Sequence, residues 1–139
     1  MMVSDRVGDF IIRLQNAAQV GKRKVVAPYS MHLFSIAKKL KELGFIATVD
    51  TKESRKTEDS HAIKKELAVT LACDEQGRTR LRGVKRISKP GRRLYAPHTA
   101  VHCVKGGTGA RLISTSTGIL SDAEVRKNRV GGEELFEIW

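Results

Sequence analysis

"GARLISTSTGILSDAEVRKNRVGGEELFEIW" (Gly109–Trp139) decides the fold class. Ala110–Ser114 reads as a strand. Four hydroxyl residues, Ser114, Thr115, Ser116 and Thr117, then lead into Gly118. Ser121 opens an S-x-x-E capping box with Glu124, which predicts a short helix. Gly131–Gly132 ends that helix. Glu133–Trp139 alternates as a final strand, with Phe136 and Ile138 facing one way. Strand, turn, short helix and strand make this half of the chain mostly β.

Upstream, "DEQG" (Asp74–Gly77) is a turn, and Arg78 to Ile87 reads as extended, with Arg78, Arg80 and Arg82 on one face. "SKPG" (Ser88–Gly91) is a turn around Pro90. Leu94–Tyr95 is extended, Pro97–Lys105 suits a short helix, and "GGTG" (Gly106–Gly109) is a loop. The first half differs. Ser4 suits the N-cap of a helix carrying Val7, Phe10, Ile11, Leu14 and Ala18, stopped by Gly21. A short strand spans Lys24–Ala27. Ser30 suits the cap of a second helix with Leu33, Ile36, Ala37, Leu40 and Leu43, stopped by Gly44. Phe45–Val49 is a strand, Thr51–Ser60 a polar hairpin loop, and Glu66–Ala72 a half-buried strand. The expectation is an α+β protein: an α/β half (1–75; helix, strand, helix, strands) packed on a mostly β half with a short helix (76–139).

The 139 residues include 26 Lys and Arg against 15 Asp and Glu, a formal net charge of +11. Such an imbalance asks for an anionic partner, and nucleic acid is the first candidate. No stretch approaches the ~18 apolar residues of a membrane helix, and no apolar signal core follows the N-terminus. The basic residues do not form the amphipathic helix that a membrane surface would favour. Aromatics make up only 5%, so a base-stacking sheet surface is not expected. Cys73 and Cys103 have no metal or redox spacing and read as two buried thiols in a reducing compartment.

The densest positive stretch, Arg78 to Arg93, holds Arg78, Arg80, Arg82, Lys85, Arg86, Lys89, Arg92 and Arg93. The planar Arg fork suits phosphate, so these read as a ridge against RNA or DNA. The hydroxyl cluster is a different signal. A Ser or Thr hydroxyl both donates and accepts, and can meet a phosphate, a base edge or a ribose 2′-OH. Taken alone it is also an ordinary turn. "KGGTGAR" lacks the Lys-Ser/Thr of a phosphate loop, and no dinucleotide fingerprint appears. His98 and His102 with Cys103 lack further zinc ligands, and no nucleophile elbow supports a hydrolase. No catalytic residue, metal site, cofactor or small-molecule substrate is expected.

Three stretches together resemble the eighth-protein family of the bacterial small ribosomal subunit: "ISKPGRRLY" (Ile87–Tyr95), "GTGARLISTSTGILSD" (Gly107–Asp122) and "VGGEELFEIW" (Val130–Trp139). "DRVGDFIIRLQN" (Asp5–Asn16) resembles the family's opening helix, with Arg13 and Asn16 as contact candidates. The resemblance implies direct binding to a bent helix in the central domain of small-subunit rRNA, early in assembly, with no bond made or broken. It implies RNA contacts from Ser114, Thr115 and Ser116, with Gly118 permitting the turn, from the Tyr95 ring, and from Gly131, Gly132 and Glu133. Thr117 stands where the family pattern has Lys. "PYSMHL" keeps Pro28 and Ser30, but Met31 and Leu33 replace two lysines. Lys22, Arg23, Lys24, Lys38 and Lys39 are then substitutes for that contact, and this face becomes a candidate for protein contact. The loop Thr51–Lys64 is longer than the family pattern. The implied partners are small-subunit rRNA and neighbouring ribosomal proteins, the fifth among them, with no membrane. The implied place is the cytoplasmic small subunit, an organellar ribosome fitting as well. A stand-alone RNA regulator and an RNA-processing enzyme are the alternative readings.

Overall fold

A computed structural model describes residues 5–55, 63–104 and 107–139, apart from the side chains of residues 54, 55 and 63. In chain order come α1 (Arg6–Gln19), β1 (Lys24–Pro28), α2 (Met31–Glu42), β2 (Ile46–Arg55), β3 (Ile63–Leu71), β4 (Val84–Arg86), β5 (Tyr95–Ala96), β6 (Ala110–Thr115), β7 (Gly118–Ser121), α3 (Asp122–Asn128) and β8 (Gly132–Ile138). One antiparallel sheet has the order β1-β3-β2. The other runs β4-β8-β6-β7, with β5 also on β8. This is the expected α+β class.

The helices form where apolar residues recur at 3.6-residue spacing. α1 buries Phe10, Ile11, Leu14 and Ala17, and α2 buries Leu33, Ile36, Ala37 and Leu40. α1 packs on β1 and β4, and α2 on β2 and β7, so the helices touch both sheets. One buried cluster therefore joins Phe10, Leu40 and Leu67 to Leu112, Phe136 and Ile138. A smaller cluster of Val101, Ile113 and Val125 lies under α3.

Several local expectations are corrected. Asp5 caps α1, its carboxylate accepting from Gly8 N–H at 3.0 Å; Ser4 lies outside the described residues. The strand expected to end at Val49 continues to Arg55, and β3 begins at Ile63. Positions 56–60 of the expected loop lie outside the described residues. The proline turn spans Lys89–Arg92, whose backbones exchange hydrogen bonds of 2.9 and 3.0 Å, with Pro90 second. Arg78–Ile87 contributes only β4 as strand, and the described part (97–104) of the helix expected at Pro97–Lys105 holds one 3-10 turn, His98–Ala100, Lys105 lying outside the described residues. α3 stops at Asn128 because Arg129 adopts a left-handed conformation (φ 56°), before the glycine pair. Cys73 is half-buried and Cys103 exposed, so the thiols are not core residues.

Candidate RNA interface

β6 and β7 form a hairpin whose closing pair is Thr115 and Gly118. Gly118 has φ +127°, open to glycine and strained for other residues. The four hydroxyls at this hairpin have unequal duties. Thr115 Oγ1 donates to the Gly118 carbonyl at 2.8 Å, accepts from Thr117 N–H at 3.2 Å, and lies 3.0 Å from Thr117 Oγ1. A hydroxyl has one proton and two lone pairs, so Thr117 must donate to Thr115, whose hydrogen-bonding capacity is then full. The Ser114 and Ser116 hydroxyls have no hydrogen-bond partner among the described residues; Ser114 is half-buried and Ser116 exposed. Two ready hydroxyls thus sit on a turn braced by the other two.

Residues distant in sequence meet beside this turn. A cleft of about 470 Å³ is lined by Ser30, His32, Arg93, Ser114 and Glu133, together with Asp5, Arg86 and Pro90. A neighbouring groove joins Met31, His32 and Ser35 of α2 to Ser114, Gly118 and Ile119. Ser30 caps α2, its hydroxyl accepting from Leu33 N–H at 3.1 Å. That places the helix N-terminus, with its partial positive charge, at the cleft. Tyr95 sits opposite Glu133 and is 71% exposed. Gly132 has a packing role: a Cβ there would strike the Ser114 carbonyl. A Cβ at Gly131 would come within 2.6 Å of the Ala96 carbonyl. The glycine pair lets β8 approach its neighbours closely. Glu133 accepts from Arg93 at 3.4 Å and is largely buried.

The basic stretch is not uniform. Arg78, Arg82, Lys85, Lys89 and Arg92 are exposed and have no carboxylate partner among the described residues. Arg86 is turned inward: it pairs with Asp5, and its Nε donates to the Ser88 carbonyl at 2.6 Å. Burial alone would raise the Asp5 carboxyl. The Arg86 hydrogen bond, the Gly8 N–H and the charges of Arg86 and Arg93 hold it below its usual value instead. Arg13 and Asn16 are not brought to the turn. They line a separate groove with Val20, Lys22 and Lys24, and Arg13 is tied to Asp9 at 3.0 Å and to the Val26 carbonyl at 2.8 Å.

The model of the family described as ribosomal protein S8 matches residues 5–139 of the chain. The chain belongs to the ribosomal protein S8 family. Its relatives include proteins named small ribosomal subunit protein uS8 from Nocardioides sp. (39% identical), Nocardia farcinica (40%) and Syntrophus aciditrophicus (37%). Each match covers 100% of both chains. The S8 family is a structural component of the ribosome and not a family of enzymes. The two departures from the S8 pattern in α2 are unlike each other. Met31 is 77% exposed at the rim of the groove, whereas Leu33 is 1% exposed and belongs to the core. Lys39, expected as a substitute contact, is held between Glu42 at 2.8 Å and Glu124 at 2.9 Å. Burial would lower that ammonium, but the two glutamates raise it above its usual value. Sequence reading missed His32, which lines both depressions. Its only signal was its place two residues after the helix cap, uninformative until α2 is set against the hairpin.

Proposed function

We propose that this S8 family member binds the central domain of small-subunit rRNA directly and acts early in assembly of the subunit. The reading is supported chiefly by one observation: unpartnered Ser114 and Ser116 on a braced turn, beside a cleft that also takes the α2 N-terminus. Hydroxyls that donate and accept fit the sugar edge of RNA, and a helix N-terminus fits phosphate. Ser114 and Ser116 are the recognition groups, Thr115, Thr117 and Gly118 shape the turn, and Ser30 orients α2. The Tyr95 ring packs beside the RNA. Gly131, Gly132 and Glu133 keep β8 in place. Arg78, Arg80, Arg82, Lys89, Arg92 and Arg93 supply phosphate affinity, and Arg86 positions the surface by fastening it to Asp5. In this division of labour residues 76–139 recognise RNA and residues 1–75 support them. The exposed apolar side chains of Ile12, Val20 and Val26 suit a neighbouring subunit protein, the fifth small-subunit protein being our candidate. The setting is the cytoplasmic ribosome.

The test is binding of wild type and Ser116→Ala to the central-domain helix. The variant should lose about tenfold in affinity, the scale of one hydrogen bond to a charged or well-placed polar group, with an unchanged salt slope. A changed slope with intact discrimination against a plain duplex would contradict the assignment.

A further inference from the structure

The exposed arginines between Arg78 and Arg93 form two separate groups. Residues 82–96 follow β8 antiparallel, from the Arg82 N–H on the Trp139 carbonyl to Ala96 beside Gly132. The Lys89–Arg92 turn and Arg93 therefore lie near the Glu133 end. Arg80 and Arg82 lie at the Trp139 end, about 20 Å away at the ~3.3 Å rise of a strand.

At that far end a cleft of about 460 Å³ is lined by Phe45, Arg80, Arg82, Gly107, Thr108 and Trp139. Its volume is in the range of sites for nucleotide-sized ligands. The Arg80 guanidinium is held from three directions. One nitrogen donates to the Leu43 carbonyl at 3.1 Å, and the guanidinium carbon lies 5.1 Å from the Phe45 ring centre. The guanidinium also packs against Gly44, where a Cβ would collide with it. Arg80 stays exposed despite these contacts, and Arg82 is exposed beside it. Arg82 also lines an adjoining groove with Arg78 and Gly77, and the Arg23 guanidinium lies beside Gly77. None of these four arginines has a carboxylate partner among the described residues.

Arg78, Arg80 and Arg82 line two adjoining depressions with no side-chain carboxylate partner among the described residues, and such a group of cations favours an anion that joins them. A guanidinium fixed on a ring presents its other face for stacking, and its remaining N–H donors suit phosphate. A cleft that combines this face with an indole fits a base as well as a phosphate. An acidic protein segment would use the charges but not the ring-lined cavity. We propose that this cleft is a second RNA site, remote from the hydroxyl turn, which takes one unpaired nucleotide. Its base stacks between Arg80 and Trp139, and its phosphate lies on Arg82 and Arg78. The proposal rests on RNA as the partner but not on the turn's role.

Trp139 is the sole tryptophan, so its fluorescence reports this cleft alone. Single-stranded oligoadenylate should quench it saturably in the wild type. Affinity should fall at least threefold in Arg82→Gln and at least tenfold in Arg80→Gln/Arg82→Gln. Lys127→Gln, an equal loss of charge elsewhere, should behave as wild type. Arg82→Gln leaves the Leu43 contact intact and decides the matter if the double variant does not fold. No quenching in the wild type, or equal quenching in Arg82→Gln, would overturn the proposal. So would equal quenching by polyglutamate, which would assign the cleft to an acidic protein segment. Loss of central-domain discrimination with oligoadenylate quenching intact would count against the proposed function and leave this cleft standing.

Discussion

Four neighbouring hydroxyls, Ser114 to Thr117, look interchangeable in sequence and are not so in the hairpin. Thr115 sits inside a small hydrogen-bond network that includes the Gly118 carbonyl and the Thr117 N–H. Thr115→Val keeps the shape and removes all three contacts. It should lower stability by about 1 kcal/mol, a fall of a few degrees in melting temperature, and weaken RNA binding only through a loosened turn. Thermal melts alongside binding curves check this. Unchanged stability with lost binding would make Thr115 a direct contact instead. The cluster itself was legible in the sequence because hydroxyl type is all that such a surface needs. The division between contact and brace was not, since it depends on which lone pairs the turn geometry uses. The inward turn of Arg86 was equally hidden: its partner Asp5 is 81 residues away.

At the scale of elements, the helices were legible because their caps and stops are local. Ser30, Gly44 and the Ser121–Glu124 box act within a few residues of themselves. The outer half of the β2–β3 ribbon was not. Beyond Val49 it has no apolar alternation, and its pairs are Lys52 with Glu66 and Glu53 with Lys65. Opposite charges facing across strands support such a ribbon, but in sequence they look like a polar loop. Asp5 gives an element-scale prediction. It caps α1 and fastens it to Arg86 at the end of β4. Its folded pKa lies below the unfolded value of about 3.9. Its charge therefore stabilises the fold above that value, and the contribution is lost as pH falls through the lower folded value. Asp5→Asn preserves a good capping residue but removes the charge. The variant should be less stable than wild type at pH 7, and the gap should close below about pH 4. Melting temperatures from pH 7 to pH 3 test this; a gap constant with pH would show that the charge has no such role. Glu124, lowered by Lys39 and Ser121 against the opposing effect of burial, follows the same sign.

The whole molecule is organised by one buried cluster that both sheets share. Phe136 on β8 is fully buried and lies in the same cluster as Phe10, Leu14, Ile36 and Leu40 of the two helices. Phe136→Ala should cost about 3–5 kcal/mol, and residues on both sheets should lose protection together in hydrogen exchange. Loss confined to the second sheet would mean that the halves are energetically independent. Outside this core the molecule carries its net charge of +11; in the proposed reading the neutral hydroxyl turn supplies selectivity and the separated arginine groups supply affinity. The two terms respond differently to salt. Phosphate contacts release counterions, and ~6–10 of them weaken binding by ~10³–10⁵ between low and moderate salt. Contacts made by neutral hydroxyls have no such dependence. The decisive measurement is therefore affinity for the small-subunit rRNA central-domain helix and for a plain duplex of equal length, across a salt series. The two affinities should fall in parallel while preference for the central-domain helix persists at moderate salt. Equal affinities that vanish together as salt rises would contradict a shaped RNA site at Ser114–Gly118.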